Sequence, residues 1–283
     1  MLLGIQPLEE AGPPVTPRER GTRIHRALHS FTRKLREKKL DFRADPKRLF
    51  AILVTCVDEA LEDVRGKPEW DIERRLWLGE ESGVGKKPPG LLSVWLEAEM
   101  EHLSEGWKIL QEEMRFQKLK GKDWPFEVRG RMDRVDAHDT KGLIVWDYKT
   151  GNPPRTKEVL EQFKEAQLPL YLLALRKGIL SSAALSAEGK GLSAGYIRLK
   201  SAGKIRMTPL GAKGFSWEGC LDRWERTIAT LGNLLRGNDF PAKPYPVSAP
   251  GVEADCLSCV FVTLCEKGVT GEWGAREEEE DEE

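Results

Sequence analysis

The sequence predicts an α/β domain, a mixed β-sheet flanked by helices with a helical N-terminal region. Three observations carry the prediction. Apolar residues recur at helical spacing through much of the first 120 residues. Two stretches, Phe126–Gly151 and Gly195–Leu210, read as strand pairs joined by turns. A helical pattern follows each of them, from Glu158 to about Lys177 and from Trp217 to Arg236. Helix, hairpin, helix, hairpin, helix fits one sheet clothed by helices.

The elements can be justified in order. "TPRE", Thr16 to Glu19, opens a helix: Thr16 can cap, Pro17 suits the first turn and Glu19 completes a capping box. Ile24, Leu28, Phe31 and Leu35 then share one helical face. A second helical stretch covers Leu49 to Val64 and a third about Leu91 to Phe116, with "GEESGVGKKPPG" (Gly79 to Gly90) as an exposed loop between them. Residues 16–120 are therefore expected to be mainly helical. From Pro125 the period changes to two. "FEVRGRMDRVD" (Phe126 to Asp136) and "LIVWDYKTG" (Leu143 to Gly151) are strands, and "AHDTKG" (Ala137 to Gly142) is the turn of an antiparallel hairpin. Pro169 places a helix start or a kink within the following helical pattern. The expected organisation is one domain over 1–272, with the central sheet and helix at 125–210, a C-terminal helix and cysteine segment at 216–272, and an acidic disordered tail at 273–283.

Composition narrows the class. The chain has 283 residues, 40% of them hydrophobic, and nine tryptophans, enough for a sizeable core. No apolar run approaches the roughly 18 residues of a membrane span, and no signal-peptide pattern opens the chain, so a cytoplasmic protein without membrane contact is expected. Five cysteines do not suggest a disulfide framework. Net charge is −1, but the seven acids of Glu277–Glu283 mask a remainder at +6. A mildly basic body permits phosphate binding. No G-x4-G-K-S/T occurs, so the chain is not expected to bind ATP.

The strand "LIVWDYKTG" poses a chemical question. Leu143, Val145, Asp147 and Lys149 share one face, and Ile144, Trp146 and Tyr148 share the other. A strand this apolar should be covered on both faces, where a lone carboxylate or ammonium costs several kcal/mol. With the turn centred near Asp139, Asp133 lies roughly opposite Asp147. Facing strand residues place their Cβ atoms about 4.5–5.5 Å apart, and two carboxylates that close repel unless they share a proton or a cation. Hard oxygen ligands favour Mg²⁺, and Lys149 could steady a water or the charge building on a phosphate. An isolated D-x-K is more often a surface salt bridge; the flanking apolar residues and the second aspartate in register argue against that here.

Cys256, Cys259 and Cys265 form C-x2-C-x5-C, a spacing that can grip zinc or an iron–sulfur cluster, either of which needs a fourth ligand. Cys56 and Cys220 lie in helical, apolar stretches and read as small core residues.

"GRMDRVD" (Gly130 to Asp136), "VWDYKTG" and "QLPLY" (Gln167 to Tyr171), preceded by "RGTRIH" (Arg20 to His25), resemble in order and spacing the motifs of PD-(D/E)XK nucleases of the RecB type. The resemblance implies a restriction-endonuclease-like fold and a Mg²⁺- or Mn²⁺-dependent DNA nuclease, an exonuclease of recombination and double-strand-break repair. It makes Asp133 and Asp147 acidic metal ligands, the Tyr148 carbonyl a third oxygen, His25 a further ligand and Lys149 the catalytic lysine. Gln167 and Tyr171 would shape the DNA path. His29 is left structural, and Glu113, where the family often has a glutamate, stays outside the assigned set. Arg131 and Arg134 read as surface charges within reach of phosphates. The cysteine triplet has the spacing of AddB-type subunits, which carry a 4Fe-4S cluster as a staple; their first cysteine, ahead of the histidine motif, is missing here. The chain is therefore expected to be part of a longer protein or to start late, with a helicase subunit or helicase-like region as partner. The alternative is a non-catalytic iron–sulfur or zinc-stapled DNA-binding or interaction module.

Overall fold

The computed structural model describes residues 15–40, 44–79, 89–179, 191–200, 205, 207–211 and 215–237. The chain divides into two compact units, 1–229 and 230–283; of the second, only 230–237, the end of a helix, is described. Cys256, Cys259, Cys265 and the acidic tail lie outside the described residues.

Helix α1 (Pro17–Glu37) starts as the sequence predicts. The Glu19 N–H donates to Thr16 Oγ1 at 3.2 Å and the Thr16 N–H donates to Glu19 Oε2 at 3.0 Å. Its buried stripe is Ile24, Ala27, Leu28, Phe31 and Leu35. Helices α2 (Pro46–Ala60), α3 (Pro68–Leu78) and α4 (Leu91–Ser104) follow. The sequence pattern does not announce α3, because its apolar residues trace no single face: Trp70 and Trp77 are buried while Ile72 and Leu76 are 57% and 48% exposed.

The third helix predicted to reach Phe116 stops instead at Ser104. Gly106, at φ +100°, turns the chain, and Lys108–Leu119 is a strand, β1. The helical reading has a physical source. Strand β1 is bulged between Ile109 and Gln111 and again between Phe116 and Leu119, and Glu113 and Lys118 take left-handed φ. Its buried residues therefore fall at Glu112, Phe116 and Leu119, four and three apart, which is helical spacing.

Strands β2 (Val128–His138) and β3 (Gly142–Lys149) form the predicted antiparallel hairpin, with Val135 opposite Val145. Gly142 at its turn has φ +86°, and a Cβ there would lie 2.1 Å from the Gly191 carbonyl oxygen, so only glycine fits. The single helix expected over Glu158–Lys177 is two, α5 (Thr156–Leu160) and α6 (Gln167–Arg176), separated around Phe163 at φ +54°. Pro169 sits in the first turn of α6, where its missing N–H costs nothing. The second hairpin is β4 (Leu192–Arg198) and β5 (Met207–Pro209), and α7 (Trp217–Arg236) closes the described chain. The strand order is β1-β2-β3-β4-β5; β3 and β4 are parallel and the other neighbours antiparallel. This is the mixed, helix-flanked sheet of the restriction-endonuclease-like fold.

Strand β3 separates two cores. Ile144, Trp146 and Tyr148 pack with residues of α1 to α4, and Leu143 and Val145 with α5, α6 and α7. Burial on both faces explains its unbroken apolar composition. Cys56 and Cys220 are buried, one in each core. Arg134 corrects an expectation. It is no surface charge but has 0% exposure, paired with Glu99 and Asp136, which are equally buried. No helix among the described residues is long and apolar enough to cross a membrane.

Candidate active site

The β2–β3 ladder ends at the pair Arg134–Trp146. One step further, Asp133 stands across from Asp147. On the other side, the pairs Glu112–Arg134 and Met114–Met132 put Glu113 across from Asp133. Three acids thus sit abreast on three neighbouring strands. Glu113 is held at φ +49°, a costly conformation for a non-glycine residue and one that clusters at functional sites.

Where the ladder stops, the Tyr148 N–H donates to Asp133 Oδ2 at 3.0 Å instead of to a backbone carbonyl of β2. Helix α1 delivers His25 to the same place. Its Nε2 is 3.2 Å from the Tyr148 carbonyl oxygen and its Nδ1 is 3.6 Å from Asp133 Oδ2. With Nε2–H donating to that carbonyl, Nδ1 turns a lone pair toward Asp133. Burial pushes the His25 imidazole down, toward the neutral form a cation requires. His25, Glu113 and Asp133 offer ligand atoms that all lie within 4.8 Å of one another. Arg131, at the exposed end of β2, pairs with Glu113 at 2.8 Å.

Asp147 is not in that trio. Its carboxylate, 1% exposed, is engaged on the neighbouring side: Oδ1 accepts from Gln167 Nε2 at 2.6 Å and Lys149 Nζ lies 2.8 Å from Oδ2. The Lys149 ammonium is thus the ion-pair partner of Oδ2. Gln167 is the hub of this side. Its Oε1 accepts from Lys149 at 2.8 Å, and its Nε2 also lies 2.9 Å from the Tyr171 hydroxyl. Burial pushes the Asp147 carboxyl up, and the Asp133 charge raises it further; burial likewise raises Asp133, opposed by the Tyr148 N–H.

These residues fit a divalent cation. Two aspartates pushed toward their protonated forms by burial, a third carboxylate abreast of them and an imidazole biased to neutrality form a hard donor set whose conflict a cation resolves. The profile of the PD-(D/E)XK nuclease superfamily matches residues 2–266 of this sequence. The chain belongs to that superfamily. A search of curated proteins finds no match. Asp147, Tyr148 and Lys149 read as an acid, any residue and a lysine, and Asp133 stands upstream with Met132 before it.

The structure therefore brings together the predicted His25, Asp133, Asp147, Tyr148, Lys149, Gln167 and Tyr171. Glu113 is the residue the sequence reading left out. Its signal is register across β1 and β2, which is visible only once β1 is known to be a strand.

Proposed function

We propose that this PD-(D/E)XK nuclease hydrolyses DNA phosphodiester bonds with Mg²⁺ or Mn²⁺, held by His25, Glu113, Asp133 and Asp147. The carrying observation is the row Glu113–Asp133–Asp147 with His25 above it and Lys149 beside it. A bound divalent ion supplies a Lewis acid and lowers the pKa of water at the phosphate. The chain's own residues do the rest. Asp133 is kept in orientation by the Tyr148 N–H, and Asp147 by Gln167. Lys149 keeps its ammonium next to the acids through Gln167, ready to offset charge building on the phosphate. Gln167, bonded to the Tyr171 hydroxyl, sets the position of that ammonium, and the motif order supports a place for both beside the DNA path.

The motif order of the RecB type supports an exonuclease of recombination and break repair with a helicase partner, and C-x2-C-x5-C supports an iron–sulfur staple at Cys256, Cys259 and Cys265. Sequence specificity is not expected, because such a site follows the backbone, which carries no base information. The test is an assay on linear and on covalently closed circular DNA, with and without Mg²⁺ or Mn²⁺. Wild type is expected to degrade linear DNA only with the ion, and Asp147→Ala to be inactive. Equal cleavage by both proteins removes the proposal and leaves the DNA-binding module; cleavage of closed circles removes the exonuclease part. Iron with acid-labile sulfide supports the cluster, and zinc rejects it.

Ion binding also has a signature in stability. Asp133, Asp147 and Glu112, the last pushed up to about 7 by burial, keep protons in the native state that the unfolded chain gives up near pH 4. Without metal, their contribution favours the native state most below pH 4 and is lost as pH rises to neutrality. A divalent ion held there would take the place of those protons on Asp133 and Asp147. The rise in Tm on adding Mn²⁺ is therefore expected to be several degrees larger at pH 8 than at pH 5.5, read by calorimetry, and to vanish in Asp133→Asn. An equal rise at both pH values in both proteins would place the ion elsewhere.

A further inference from the structure

Beneath the row of acids, on the opposite face of the sheet, lies a second group of charges that the reaction does not touch. Arg134 is fully buried. Its Nε and Nη2 donate to the two oxygens of Asp136 at 2.7 and 2.8 Å, and its Nη1 donates to Glu99 Oε1 at 2.5 Å and to the Tyr148 hydroxyl at 3.2 Å. Asp136 is held in turn by the Trp146 indole N–H at 3.1 Å and by His102 Nε2 at 2.9 Å. Every nitrogen of the guanidinium is in use, so the fork cannot swing.

Such a cluster is a poor means to stability, because desolvating the charges offsets most of their attraction and apolar residues of equal volume serve as well. What it does possess is rigidity, and it reaches the candidate site through the phenol oxygen of Tyr148 and through Trp146, the neighbour of Asp147. The Tyr148 ring points into the core of α1 to α4. Its peptide groups face the site: the N–H holds Asp133 and the carbonyl receives His25. On the β2 side this stretch of β3 is beyond the last ladder pair, so β2 fixes it by side chains alone. The two residues flanking Tyr148 are Asp147 and Lys149.

We propose that the Glu99–Arg134–Asp136 cluster is a positioning device: through the Tyr148 hydroxyl it sets the Tyr148 peptide groups so that Asp133 and His25 converge on one cation. The inference rests on the metal-dependent reading above. Arg134 touches neither ion nor substrate; the link that carries the effect is its hydrogen bond to Tyr148.

Tyr148→Phe removes the linking atom and keeps the ring. The full chain is titrated with Mn²⁺ by calorimetry, alongside kcat and KM on linear DNA and the urea midpoint. The expected result is a five- to tenfold rise in Kd for Mn²⁺ and a similar fall in kcat, with KM for DNA unchanged. A hydroxyl of structural value only would move the urea midpoint and leave Kd and kcat within twofold of wild type; that result overturns the proposal. Should Tyr148→Phe fail to fold, Glu99→Gln weakens the anchor of Arg134 without removing an acceptor. It is expected to raise Kd about threefold, and an unchanged Kd in the folded variant also overturns the proposal. A wild type that binds Mn²⁺ but cleaves no DNA defeats the nuclease reading, while the comparison of Kd values still decides this one. A wild type that binds no Mn²⁺ defeats both.

Discussion

Lys149→Ala is expected to lower kcat for DNA cleavage about 10²–10³-fold, the usual loss when one group aimed at transition-state charge is removed. Lys149 Nζ sits 2.8 Å from both Asp147 Oδ2 and Gln167 Oε1, so its place is fixed before substrate arrives. Charge on the phosphate grows only as the bond to water forms, and an interaction of that kind lowers kcat when lost without raising KM. Lys149→Arg is not expected to rescue it. The planar guanidinium is wider than the ammonium, and the gap between Asp147 and Gln167 admits a point charge. The measurement is kcat and KM at saturating Mn²⁺. A kcat within threefold of wild type would remove Lys149 from the chemistry.

Arg134→Ala is expected to cost about 3–5 kcal/mol of folding stability. The size comes from what stays behind. Glu99 and Asp136 have no exposure, and Glu99 Oε2 already lacks a partner, so losing the guanidinium leaves two carboxylates buried without their cation. Arg134→Met combined with Glu99→Leu and Asp136→Leu removes all three charges together and is expected to recover most of the loss, since the penalty lies in the uncompensated charge. Urea unfolding of the single and triple variants checks both statements. Equal destabilisation would show that packing volume, not charge, is what Arg134 supplies.

Much of this was legible in the residues. The cap at Thr16, the doubly buried β3 and the facing of Asp133 and Asp147 follow from local chemistry and from the two-residue period, which act over a few positions. What stayed hidden depends on distant partners. Strand β1 hid because its bulges and the left-handed Glu113 throw its buried residues onto a helical rhythm. With β1 misread, Glu113 had no register to join. Arg134 hid for a related reason: beside Asp133 and two residues from Asp136 on a strand, nothing local tells that Glu99, 35 positions earlier on α4, will close over it. The family motif pointed to the proposed reacting groups, and the tertiary structure shows what surrounds them.

The two cores on either side of β3 have one more consequence. His25 rides on a helix of one layer and Gln167 on a helix of the other, and the acids lie on the strands between. On the proposed reading, the site is complete only once both layers have packed against these strands. Trp95 lies in one layer and Trp224 in the other, and variants that keep only one of them report each layer singly. Followed separately during refolding, they would show cutting return at the pace of the later of the two, which makes completion of the fold the enzyme's own safety catch.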